Sequence, residues 1–452
     1  MTPGGRGKRL PLGERRYADR VPPAPTALAA LPGVIARYGA HPLALWAAFA
    51  AVHLWLGYLN LFGPNLPLGD VTLVYLFWVE QGLIAGNWVG IETSWVYPIV
   101  ALLPMLAAYV LGPEPYAVSW LTIVMVLDAV ALLAIAGVGR RVRHAGAAWW
   151  WMLYLAALGP IALGRIDSIT APLAIVALAR LAQSPRSAAV LLAIGAWIKV
   201  WPAAMLLAAV VALRERSRVA LATVAVSMVV VAGGLALGAG ASLLSPITEQ
   251  SGRGLQVEAP IATAWLWAAA AGRWNAHVYY DRGILTWQVF GEGSQQAAAL
   301  ATPALALVVL LVAGLGVLAV RRGVDEVRLV PALALALVMA LILVNKVGSP
   351  QFATWIAAPV VLGLLWRPRG GVSFHVPVVV AVLIAVLTQV VYPFRYGELL
   401  GLQAPMLAVL SLRNALYLAL LGWALVVIVQ LIRRPLARSL HPAPHTTSGV
   451  SH

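Results

Sequence analysis

Long apolar runs alternate with short basic loops along most of the chain. A helix crosses a hydrocarbon core with about 20 apolar residues. Runs of that kind lie at 43–60, 117–138, 145–163, 168–182, 219–240, 297–320, 327–344, 352–366, 373–391 and within 404–431. Segment 187–213 differs, because basic residues bound both of its ends: Arg186 before it, and Arg214, Arg216 and Arg218 after it. Basic loops collect on one side of a membrane. The pattern therefore predicts two short helices with Lys199-Val200-Trp201-Pro202 at the turn, each arm about 20 Å long. Together these runs predict an all-α polytopic protein of about twelve membrane helices.

Two long polar stretches interrupt the runs, at 61–116 and 241–296. In the first, Val71 to Ala85 reads as an interfacial helix and 97–111 as a second apolar piece. Arg140, Arg141, Arg143 and His144 follow the next run, so the charge rule makes 97–111 a dip rather than a crossing. Both long stretches then lie outside and both termini in the cytoplasm. Residues 1–42 read as a disordered, basic, Pro-rich cytoplasmic tail. No short apolar run there ends at a small-residue cleavage site, so no cleavable leader is expected. Residues 43–434 form one integral membrane domain, and 435–452 a second disordered tail. No internal repeat is apparent.

Composition agrees. Of 452 residues, 62% are hydrophobic and 10% charged, whereas soluble domains carry roughly 25% charged residues. There is no cysteine, so disulfides, thiolate nucleophiles and Cys-based metal sites are excluded. The net charge of +15 comes from arginines between apolar runs. It needs no nucleic acid as partner and suits anionic membrane lipid. No P-loop, no G-x-G-x-x-G in a βαβ context and no metal-ligand spacing of histidines occurs. No cofactor is expected, and any energy source is a membrane-borne activated substrate or an ion gradient.

Candidate chemistry concentrates on the outer tips. Asp70 lies in LFGPNLPLGDVTLVY, Leu61 to Tyr75, where Gly63, Pro64, Pro67 and Gly69 break any helix. It reads as a general base on a loop or as a cap for the segment beginning at Val71. Further tips carry Arg165 with Asp167, Lys199, and Lys346 with Gln351; the second long loop adds Arg253, Gln256 and Glu258. Lysine is rare, three of 31 basic residues, which singles out Lys199 and Lys346. Arg165 could simply pair with Asp167, and the lysines could snorkel to headgroups. Asp128 and Arg413, inside apolar runs, could pair with each other or line a cavity. Trp149-Trp150-Trp151 reads as an interfacial belt.

With these motifs in place, the chain resembles the GT-C membrane glycosyltransferases, and within them the actinobacterial polyprenol-phosphate-mannose-dependent α-mannosyltransferases of glycosyltransferase family 87. The likeness spans about 43 to 434. The family's first-loop Asp with a nearby Tyr matches Asp70 and Tyr75. Its Tyr-Pro-Pro matches Tyr97-Pro98-Ile99 without the second proline, and its Lys-x-x-Pro matches Lys199-Val200-Trp201-Pro202. Its late Ser-Pro matches Ser349-Pro350, followed by Gln351 and Trp355. Its Gly-Gln-x-Asn turn is here Gly164-Arg165-Ile166-Asp167, with both polar positions charged.

The resemblance implies transfer of a sugar, mannose by family default, from a polyprenyl-phosphate donor to a glycolipid or cell-envelope glycan. It implies an outward-facing site in the plasma membrane, a monomer, and inversion with Asp70 as base. Lys199, Lys346, Arg253 and Arg165 would hold the donor phosphate. Asp167, Tyr75, Tyr97, Gln256, Glu258 and Gln351 would hold substrate. Two other classes compete: a transporter or flippase of a lipid-linked intermediate, and a scaffold without catalysis. The long outer loops and the lack of an inverted repeat weigh against transport.

Overall fold

The computed structural model describes residues 41–139 and 142–433. The expected tails, apart from residues 41 and 42, and the Arg140–Arg141 pair lie outside the described residues. The fold is mostly helical. Among the described residues, eight helical segments are long and apolar enough to cross a membrane, which makes this a multi-pass membrane protein. They are α1 (Pro42–Phe62), α4 (Tyr116–Ala136), α5 (Ala145–Leu158, extended by a 3-10 turn to Ala162), α9 (Arg216–Ala236), α12 (Ser294–Arg321), α13 (Glu326–Leu343), α15 (His375–Gln389, continued to Phe394) and α17 (Ala404–Arg433). Between them lie α2 (Leu76–Ala85), α3 (Leu102–Tyr109), α6 (Asp167–Arg180), α7 (Pro185–Ile198), α8 (Ala203–Ala212), α10 (Ser245–Ser251), α11 (Thr263–Ala270), α14 (Ala357–Trp366) and α16 (Tyr396–Leu400).

Which helices are central follows from their sequence. In α13 the run VPALALALVMALIL is apolar on every side, so it suits the interior. It is buried almost throughout and packs against α8, α12, α14 and α17. Helices α9 and α12 instead expose most of their apolar surface, as lipid-facing helices do.

Several short elements match the pattern. Helices α7 and α8 form two arms of 14 and 10 residues, with Lys199 and Pro202 at the turn. The piece expected to dip is a 3-10 turn, Ile99–Ala101, running into α3. Its 11 residues span only about 16 Å.

The helical class holds, with an addition and some corrections. Three antiparallel strands lie in the second long loop. They are β1 (Leu255–Gln256), β2 (His277–Asp281) and β3 (Thr286–Phe290), in the order β1-β3-β2, with Val278 opposite Val289 and Gln256 opposite Gln288. HVYYD and TWQVF are rich in β-branched and aromatic residues around a polar turn, a hairpin signal. The run at 352–366 begins as a 3-10 segment, Pro350–Ile356, and turns α-helical only at Ala357. Trp150 and Trp151 form no belt: both are buried, and Trp150 Nε1 donates to Val378 O at 3.0 Å.

The strands and α11 cap one end of the bundle. Leu255, Val257, Leu266 and Val289 pack with Leu399, Leu407 and Leu410 in a separate apolar cluster. Beneath it Arg413 Nη1 meets Glu258 Oε2 at 2.7 Å, and Nη2 donates to Glu258 O at 3.0 Å. Both side chains are almost fully buried. Asp128 pairs not with Arg413 but with His53, at 3.1 Å.

Removing one member of a buried ion pair typically costs about 3–5 kcal/mol, because the other charge is stranded. Arg413→Leu should therefore lower the unfolding temperature sharply in detergent. Adding Glu258→Gln, which removes the stranded charge, should restore much of the loss. Equal melting of the single and double variants would refute this account.

Candidate functional site

The site is built where α5 ends and α6 begins. Chain reversal there needs Gly164: a Cβ on it would fall 2.6 Å from Asn60 Oδ1 and 2.8 Å from Pro67 O. The close approach sends the next residue, Arg165, inward, where it is buried. Its guanidinium is satisfied from three parts of the chain. Nε meets Asp70 Oδ2 at 3.0 Å, Nη1 donates to Gly164 O at 2.8 Å and also to Pro67 O, and Nη2 donates to Tyr392 Oη at 3.0 Å. Tyr392 Oη in turn donates to Asn65 O or Leu66 O, each at 3.3 Å. Asn65 and Leu66 hold φ of 57° and 49°. A left-handed leucine is strained, and such strain persists where surrounding contacts over-determine it; here Asn65 Nδ2 also donates to Pro393 O.

Asp70 is thus not on an irregular loop. It opens a π-helical turn, Asp70–Tyr75, that runs straight into α2. Its side chain stays 40% exposed while Arg165 shows 8%. One carboxylate oxygen is held by the guanidinium; Oδ1 makes no hydrogen bond among the described residues. The turn also places Tyr75, which is buried and accepts Ile166 N–H at 3.2 Å. Tyr75 packs against Trp78, Tyr97 and Trp120.

Arg165 and Asp167 do not pair with each other. Asp167 is fully buried at the start of α6, where Oδ1 accepts Trp355 Nε1–H at 2.6 Å and Oδ2 has no hydrogen-bond partner. Lys199 is the strongest positive charge acting on it, and Arg165 a weaker one. Trp355 stacks between Trp201 and Phe352, with ring centroids 5.8 and 4.1 Å away.

Lys199 Nζ lies 4.4 Å from the centre of the Tyr97 ring and 5.9 Å from that of Phe352. A cation over an aromatic face gains about 0.5–2 kcal/mol. Tyr97 is among the groups that act on Arg253, and the charge of Arg253 acts on Lys346. Burial pushes Arg253 below its ordinary value. Burial first, and then the Arg253 charge, push Lys346 down. Nε of Arg253 is buried without a hydrogen-bond partner. Like cations held together in a desolvated place make a ready counter-charge for an anion, which would reverse both depressions.

Lys346 is positioned by the strands: its carbonyl accepts Gln256 N–H at 3.0 Å, and Gly348 N donates to Gln256 Oε1 at 3.2 Å. Gly348 has no room for a side chain, since a Cβ would collide with the backbone of Glu258 and Ala259. Gln351 Oε1 accepts Ser349 Oγ–H at 2.6 Å.

The tips named from the sequence therefore meet at one end of the bundle, with changed roles. Arg165 is a buried tether for Asp70 rather than an open anion site. Glu258 is occupied by Arg413 and Gln256 by the backbone of Gly348, so both support the site rather than open onto it. Tyr392, Phe352 and Trp201 are the site residues that motif reading passed over. Their only local signal is an aromatic next to a helix-breaking proline or a lysine turn. Compared with protein-family models, curated proteins and solved structures, the chain has no match.

Proposed function

We propose that the chain is a membrane glycosyltransferase that moves a sugar, most simply mannose, from a polyprenyl-phosphate donor to a hydroxyl of a glycolipid or envelope glycan. One observation carries this reading: a half-exposed carboxylate, Asp70, is fixed by a buried guanidinium at the same end of the bundle as the Lys199, Arg253 and Lys346 cations. The resemblance of the motifs to the GT-C family points the same way. In this reading α6, α7, α8 and α14 complete a set of about twelve membrane helices, in a GT-C-like arrangement. Both termini are cytoplasmic and the site faces outward at the plasma membrane.

The chemistry balances with these groups. The acceptor hydroxyl oxygen attacks the anomeric carbon, its proton passes to Asp70 Oδ1, and the bond from that carbon to the phosphate oxygen breaks with inversion. The electron pair leaves on polyprenyl phosphate, whose charge the three cations stabilise as it develops. A phosphate departs without needing a proton, so one carboxylate suffices and the paired acids of glycoside hydrolysis are not required. Asp70 acts on the acceptor; Arg165 is its positioning residue. A transporter reading rests on the intramembrane pair of His53 and Asp128. Both are buried, at 4% and 1% exposure, and are paired with each other.

Three measurements test the proposal. Asp70→Asn keeps an acceptor for Arg165 and removes the basicity. It should bind donor normally and lose about 10²–10⁴-fold in turnover, assayed by incubating membranes with labelled polyprenyl-phosphate-mannose and glycolipid acceptors and identifying products by mass. More than a tenth of wild-type transfer would pass the role to another carboxylate, Asp167 first. Replacing Lys199, Arg253 or Lys346 by Ala should raise the donor KM by about tenfold or more, since a hydrogen bond to a charged group contributes roughly 1.5–3 kcal/mol; unchanged donor KM in all three would remove them from the donor site. The orientation is tested by single cysteines in this cysteine-free chain: Pro115→Cys should react with an impermeant reagent added outside and Val142→Cys should not, and the reverse pattern would invert the topology.

A further inference from the structure

Four elements run from the candidate site to the opposite end of the bundle. Helix α6 starts at Asp167 and ends at Arg180, about 20 Å away. Helix α4 passes Trp120, whose Nε1 donates to Leu163 O beside the site, and ends at Ala136. Helix α5 runs from His144 toward Gly164, and the segment from Pro350 through α14 ends beside Arg369. Where their far ends meet there is a cavity of about 410 Å³.

Its chemistry is one-sided. Arg143, His144, Arg180 and Arg369 line it, and among the described residues no carboxylate does. Arg143 is drawn in by the chain itself: its N–H donates to Ala136 O at 2.8 Å, and its side chain lies over Gly137, whose φ of 73° closes the end of α4. The other wall is apolar, formed by Val130 and Leu133 of α4, which are 45% and 39% exposed on the outside of a membrane-crossing helix. A basic mouth thus continues into a greasy surface that faces lipid. His144 is held below its ordinary value by burial and then by the charges of Arg369 and Arg143, so the pocket carries uncompensated positive potential.

We propose that this cavity binds the phosphate-bearing headgroup of an anionic phospholipid, in the leaflet on the far side from the candidate active site. The arginines take the phosphate, and one acyl chain lies along Val130 and Leu133. Basic pockets between membrane helices recognise anionic headgroups in this way, and the guanidinium fork suits phosphate oxygens. The apolar wall favours a lipid over free phosphate, which has no use for it. The inference is independent of the proposed transferase activity.

The test uses the full chain in nanodiscs of equal parts phosphatidylglycerol and phosphatidylcholine, followed by gentle extraction and mass analysis of retained lipid. The wild type should enrich phosphatidylglycerol. Arg143→Gln with Arg369→Gln should cut the enrichment by about fivefold per arginine, as should Arg180→Gln in smaller measure. Arg321→Gln with Arg322→Gln, exposed arginines at the end of α12, should leave it unchanged. Melting in discs of phosphatidylcholine alone confirms that each variant folds; if the double variant does not, Arg180→Gln decides. Enrichment that survives loss of the pocket arginines, or that falls equally in the Arg321/Arg322 variant, would overturn the proposal. So would millimolar inorganic phosphate or glycerol phosphate that stabilises the wild type as well as phosphatidylglycerol does and displaces it.

Discussion

The site depends on burying one guanidinium. Arg165 is 7% exposed, and an arginine taken from water at this depth is tolerated only if its charge and its donors are met. No single neighbouring segment can meet them. The donors therefore recruit Asp70 and Pro67 from the first long loop, Gly164 from its own turn, and Tyr392 from the C-terminal extension of α15. Pro67 and Tyr392 lie 98 and 227 residues from Arg165 in the chain, so the guanidinium is also a clamp between the first long loop and the last third of the chain. The strained backbone of Asn65 and Leu66 is the visible cost, and it is held by the same tyrosine.

The clamp has a chemical consequence. A carboxylate on a short loop would sample many positions, whereas Asp70 is fixed at the head of a helical turn with one oxygen engaged. Around it the aromatic cluster of Tyr75, Trp78, Trp95 and Tyr97 gives Lys199 a surface to sit against. The strand cap brings Arg253 and Lys346 from above. Burial pushes Arg253 down, burial and the Arg253 charge push Lys346 down, and a nearby anion would oppose both effects. The mixed charges at this end contrast with the basic lining of the cavity at the far end, and α4, α5, α6 and α14 lie between the two.

What the chain determines by itself is the set of lengths. Apolar runs long enough to cross, the two short arms around Lys199, and the short apolar piece Ile99–Tyr109 are local properties, because hydrocarbon thickness and the 1.5 Å rise per residue fix them. The rarity of lysine and the placement of acidic residues in the long loops likewise name Asp70, Lys199 and Lys346 without any contact map. The hairpin was locally written too, in its β-branched and aromatic runs.

Only the tertiary structure decides who pairs with whom. Arg165 could have met Asp167, two residues away, and meets Asp70 instead; Asp128 meets His53, and Arg413 meets Glu258, 155 residues apart in sequence. Trp150 and Trp151 pack inward because α15 happens to lie against α5. A charge or a ring in a low-dielectric interior must be matched, and sequence states that demand together with its cost. Which partner answers it depends on which helices abut, and that is set by the packing of the whole bundle rather than by any stretch of it.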